Sequence, residues 1–193
     1  MAGAVKLSDL MTLDEFLVWD APDGRFWQLV NGEPIAMAPA RPIHAVLQTR
    51  IVRRIEEHLE AKGTGCLTLS APGVRLGRRA DNNYRIPDIG VTCSPLIAGD
   101  AMMPDPILLV EILSPSNQQE TWSNVWAYTT IASVQEILVV RTAEIGAHML
   151  RRKPDGSWPD VPASVEGAVV SLESIGLDLP LRPLYAGTPL VAA

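Results

Sequence analysis

At 193 residues, with 47% hydrophobic and 20% charged side chains, the chain has the size and balance of one ordinary globular domain, long enough to bury a sizeable core. Sixteen basic against twenty-two acidic residues leave a net charge of −6, which excludes a protein that holds nucleic acid through bulk positive charge alone. No apolar run reaches membrane-spanning length and the first residues lack a signal-peptide core, so a cytoplasmic location and no membrane partner are expected.

In chain order, residues 1–25 read as a helical lead-in. Thr12 with Glu15 three residues later makes a capping-box start for a short helix from Met11 to Asp20, anchored by Phe16, Leu17 and Trp19. Phe26 to Val30 and Glu33 to Met37 are strand-like runs joined by Asn31-Gly32, a strong hairpin signal. Alternation puts Phe26, Gln28 and Val30 on one face, and Pro34 assigns the second strand to an edge.

From Ile43 to Lys62 the period becomes helical, with Leu47, Ile51, Ile55 and Leu59 at four-residue steps and His44 one turn ahead of Leu47. His44 has two readings: a donor to a backbone carbonyl, or a contact to a phosphate or a catalytic water. Cys66 to Leu69 and Gly73 to Leu76 are two short strands. Cys66 and Cys93 have no ligand-like spacing and are expected as buried free thiols.

The stretch from Arg85 to Ser116 organises the rest. Arg-Ile-Pro-Asp-Ile-Gly-Val-Thr-Cys and Pro-Ile-Leu-Leu-Val-Glu-Ile-Leu are apolar runs of the kind that fill strands buried on both faces, and each carries one carboxylate, Asp88 and Glu111. Buried acids need a cation or strong donors beside them. A shared divalent metal satisfies both acids together; otherwise Asp88 caps a turn and Glu111 pairs with an arginine. Gln118 to Ala132 reads as a helix capped by Ser116 or Asn117, with Trp122 and Trp126 packed in the core. Gln135 to Val140, Gly146 to Leu150 and Ala168 to Ser171 are further strands, and residues 179–193 form a Pro-rich surface tail. The whole reads as one α/β domain, with a mixed central sheet and the long helix on one face.

Pro87-Asp88 and Val110-Glu111-Ile112-Leu113-Ser114-Pro115-Ser116 resemble the PD-(D/E)XK nuclease superfamily, and the Ser-Pro-Ser ending resembles its Uma-type branch, bacterial proteins grouped with restriction endonucleases. Gln28-Leu-Val-Asn-Gly-Glu33 is similar to that family's Glu-Leu-Ile-Asp-Gly-Glu, and His44 stands where the family has a histidine. Tyr128 with Ser133-Val-Gln-Glu-Ile137 is similar to its Tyr followed by Gly-Val-x-Glu-Tyr. These motifs, in family order, cover most of the chain.

The resemblance implies a restriction-endonuclease-like α/β (α+β) fold and Mg²⁺- or Mn²⁺-dependent hydrolysis of nucleic acid, DNA rather than RNA, by a protein that works as a homodimer. Asp88 and Glu111 become metal ligands, with the carbonyl of Ile112 beside them and His44 as a secondary group. The chain departs from the pattern twice. Gln28 replaces a family acid, and counting back one helical turn from Tyr128 puts Asn124 where the family has a lysine.

No Lys or Arg occurs between Ile86 and Val140 to compensate. Phosphate contacts are therefore expected from Arg75, Arg78, Arg79 and Arg85 on one side and from Arg151, Arg152 and Lys153 on another. Glu120, Asn124 and Tyr128 share one helical stripe that faces the expected pocket. These substitutions leave two readings, an endonuclease and a catalytically inactive relative that keeps the fold as a binding or assembly module.

Overall fold

The computed structural model describes residues 10–77, 80–166 and 168–191. The capping box forms: Glu15 N donates to Thr12 Oγ1 at 3.3 Å and Thr12 N donates to Glu15 Oε2 at 2.8 Å, opening α1 (Leu13–Leu17). That helix is shorter than expected; Phe16 is buried and stacks on Trp19, while Leu17 is left exposed. Strands β1 (Trp27–Val30) and β2 (Glu33–Ala36) make the expected hairpin, with Asn31 at φ 52° and Gly32 at φ 89° as a primed turn requires. A side chain at position 32 would also strike Leu10 Cβ at 2.8 Å.

The four-residue apolar steps become the buried face of α2 (Pro42–Lys62), which Gly63 ends in the left-handed conformation. Beyond it come β3 (Leu67–Ser70), β4 (Val74–Arg75), β5 (Tyr84–Arg85), β6 (Ile89–Thr92), β7 (Pro106–Leu113) and α3 (Gln118–Tyr128). The chain closes with β8 (Glu136–Arg141), β9 (Ala147–Arg151), β10 (Ala163–Val165), β11 (Val169–Leu172), β12 (Leu177–Pro180) and α4 (Leu181–Leu184). The helix α3 stops at Tyr128, short of the expected Ala132, because Thr129 and Thr130 turn their hydroxyls back onto the carbonyls of Trp126 and Ala127.

The central sheet has the order β10-β9-β8-β7-β6-β3 and is mixed: β7 and β8 run parallel through the α3 crossover, and the other pairs are antiparallel. A second sheet, β2-β1-β5-β4, stands beside it, with β2 and its Pro34 at an edge. Alternation along β7 fills two cores. Leu108, Val110 and Ile112 pack with the α2 stripe, while Leu109 and Leu113 pack with Val125 and Tyr128 of α3.

Three expectations are corrected by the geometry. Cys66 and Cys93 are joined in a disulfide, not free: the β3–β6 register pairs Leu67 with Thr92, and the next step brings the two cysteines face to face. The segment from Leu179 is core, since Leu179, Leu181 and Tyr185 are fully buried against the α2 stripe. Trp126 is exposed, and Trp122 alone of that pair packs inward, edge-on to His148. Among the described residues no helix is long and apolar enough to cross a membrane.

Candidate active site

Asp88 and Glu111 meet at one end of the central sheet. Ile89 pairs with Val110, so one step further Asp88 stands beside Glu111, on the face covered by α3. Asp88 is held on several sides. Its Oδ2 accepts from the Ile112 amide at 2.7 Å, its carboxylate lies 3.1 Å from His44 Nε2, and its backbone carbonyl accepts from Gln48 Nε2 at 2.7 Å and from the Ala71 amide at 2.9 Å.

Glu111 is 6% exposed, and its Oε1 accepts from the Tyr128 hydroxyl at 2.7 Å. Burial first, and then the negative charge of Asp88 beside it, push the Glu111 carboxyl well above the usual range; the Tyr128 hydrogen bond opposes this only in part. Burial, followed by the charge of Glu111, likewise drives the Tyr128 phenol up. Among the described residues neither acid forms an ion pair with an arginine or lysine.

The two substituted positions lie in a second polar layer against this pair. Gln28 is 1% exposed; its Oε1 accepts from the Ile86 amide and from Asn124 Nδ2, both at 3.3 Å, and its Nε2 donates to Glu120 Oε1 at 3.4 Å. The stripe Glu120, Asn124, Tyr128 therefore touches Gln28 with its first two members and Glu111 with its third. Asn117 begins α3, but its side chain turns back to accept from the amide and hydroxyl of Ser114 and leaves the helix uncapped.

His44 binds the Asp88 carboxylate and not a backbone carbonyl, and its Nδ1 is buried with no partner. The carbonyls of Ile107 and Leu113 accept from amides on the β8 side; alternation then turns the Ile112 carbonyl to the Asp88 side, as its amide already shows. No group of three or more His, Cys, Asp or Glu side chains converges on an ion-sized position among the described residues. Any cation here would rest on Asp88, Glu111 and main-chain oxygen. A buried Glu111 beside a largely buried Asp88, with no arginine or lysine paired to either among the described residues, suits a hard divalent ion, which typically takes only one or two protein carboxylates with water and phosphate in the remaining positions.

The arginines are not one surface. Arg78 and Arg79 lie outside the described residues. Arg75 is exposed and paired with Asp81 at 3.0 Å. Arg85 points to the opposite face: Val74 pairs with Arg85 across β4 and β5, and the residue is 3% exposed. Arg151 is paired with Glu136 and Glu173, and Arg152 donates to the carbonyls of Val134 and Ile131. Tyr128 reaches Glu111 from the stripe expected to face the pocket, and Gln48, one helical turn from His44, joins the site from outside the expected set.

A family model described as "Putative restriction endonuclease" (Uma2) matches residues 13–182. An uncharacterized protein of Synechocystis is 24% identical over 176 residues, which span 90% of each chain. The crystal structure of a putative nuclease belonging to DUF820, from Anabaena variabilis, superposes with a TM-score of 0.73 at 19% identity, covering 91% of this chain and 97% of that one. It establishes a shared fold. The chain belongs to the Uma2 family.

Proposed function

We propose that the protein is a Mg²⁺- or Mn²⁺-dependent endonuclease-like hydrolase that cleaves phosphodiester bonds of DNA. The observation that carries this reading is the pair Asp88 and Glu111, side by side, largely buried and, among the described residues, without an arginine or lysine partner. When bound there, a divalent ion would polarise the scissile phosphate and lower the pKa of its water. The chain's own groups supply the ligands and their orientation. Asp88, Glu111 and the Ile112 carbonyl would hold the ion; His44 fixes the Asp88 carboxylate, and Tyr128 fixes Glu111. Gln28 and Asn124 are neutral hydrogen-bonding members of the same wall.

Cleavage of supercoiled DNA, with Glu111→Ala as the control, tests the reading. Divalent-dependent nicking above that control is expected, and its absence sinks the enzymatic assignment. A second reading, an inactive relative acting as a binding or assembly module, is favoured by one observation: Gln28 and Asn124 satisfy each other at 3.3 Å where the family carries opposite charges. Assembly as a homodimer belongs to the first reading, with the edge of β2, unpaired among the described residues, as the available surface, and the solution mass at several concentrations tests it.

A further inference from the structure

Asn124 leaves the site without the lysine of the family pattern, and no Lys or Arg lies between Ile86 and Val140 to replace it. One cation nevertheless reaches this wall. Leu29 pairs with Tyr84 across β1 and β5, so one step further Arg85 stands opposite Gln28, on the face that Gln28 turns toward α3. The charge of Glu120 and the Tyr128 phenol are within electrostatic reach of its guanidinium.

Arg85 is unlike Arg152, and unlike Arg141, whose Nε is also buried without a partner but whose Nη1 is paired with Glu144 at 2.9 Å. Arg152 spends its guanidinium on backbone carbonyls, those of Val134, Ile131 and Thr129. Arg85 donates Nη1 to the Leu29 carbonyl, its Nε has no partner, and it forms no ion pair among the described residues. Burying a guanidinium in this way is costly, and a structural role would call for a filled fork of donors. The charge is kept where the second polar layer of the site needs one.

We infer that Arg85 is the positive charge this site uses in place of the lysine displaced by Asn124, acting as a positioning residue through Glu120 and through Tyr128 on Glu111. This rests on the nuclease reading. The lysine of the pattern sits on the helix, whereas Arg85 comes from the strand that leads into Pro87-Asp88. Its field holds the Tyr128 phenol and the Glu120 carboxylate in place, and so orients Glu111.

The test uses the full chain and two readouts, Mn²⁺-dependent nicking of supercoiled DNA and the thermal shift that Mn²⁺ induces. In Arg85→Gln the nicking rate falls about a hundredfold while the Mn²⁺ shift is kept or grows, because a repelling charge has gone. Arg85→Lys recovers at least tenfold of the loss, and adding Asn124→Lys to Arg85→Gln restores nicking by returning the charge from the helix side. Four results overturn the proposal: Arg85→Gln nicks at the wild-type rate, it loses the Mn²⁺ shift together with activity, Arg85→Lys is as slow as Arg85→Gln, or Asn124→Lys restores nothing. Should Arg85→Gln fail to fold, Arg85→Lys alone decides, by keeping or losing nicking at a wild-type melting temperature. Wild-type protein no faster than Asp88→Ala instead fails the nuclease reading itself, and the proposal with it.

Discussion

Two glutamates are buried on neighbouring strands of the same sheet, and their surroundings differ in kind. Glu136 on β8 is 1% exposed and fully partnered: it accepts from Arg151 Nε at 2.7 Å, from the Ser174 amide at 2.7 Å and from the Glu173 amide at 3.1 Å. Glu111 on β7 is nearly as buried, yet it has one neutral donor and a second carboxylate beside it. The first acid is mortar: it ties the turn between β11 and β12 to the sheet. The second is held in an environment that a cation would complete, and a buried acid of that kind marks a site more reliably than burial or charge alone.

The largest effect expected from this contrast concerns stability. Glu136→Ala takes from Arg151 the buried one of its two acid partners, leaves two amides without their acceptor and should lower the unfolding free energy by roughly 3 kcal/mol, whereas Glu111→Gln should leave the metal-free protein as stable as wild type or more so. Urea unfolding of both variants checks this, and equal losses would erase the distinction.

Next in size is the pH dependence. The folded carboxyl of Glu111 lies well above its ordinary value of 4.5, so the folded state holds that proton more tightly than the unfolded chain does. Its contribution is complete below pH 4.5 and is lost as pH rises through the raised folded value. Metal-free wild type should therefore lose stability relative to Glu111→Gln as pH rises from about 4.5 through the raised folded value, and saturating Mg²⁺ should cancel the difference. A smaller change, roughly 1 kcal/mol, is expected for Tyr128→Phe, which removes the hydroxyl that donates to Glu111; a weakened Mn²⁺ response should accompany it.

Much of this arrangement was legible in the chain because it is local. The Asn31-Gly32 turn, the four-residue step of α2, and single acids inside apolar strands all announce themselves within a few residues. What escaped depends on long-range register. Cys66 and Cys93 look unrelated until Leu67 is paired with Thr92, and only then is a disulfide predictable. Leu179, Leu181 and Tyr185 sit among prolines that suggest a surface path, yet the antiparallel pairing of β11 with β12 folds them onto α2.

Arg85 was grouped with neighbouring arginines as a surface contact because a strand of two residues gives no alternation to read. Its direction follows only from its pairing with Val74. The site residues on α3 were easier, since helical spacing alone puts Glu120, Asn124 and Tyr128 on one line.

The claim on which the account turns is that Asp88 and Glu111 bind one divalent ion between them. Calorimetric titration of the metal-free protein with Mn²⁺ tests it most directly. One ion per chain is predicted for wild type and for Glu136→Gln, and none for Asp88→Asn or Glu111→Gln. Binding that survives in either of the last two, or that is missing from folded wild type, would contradict it.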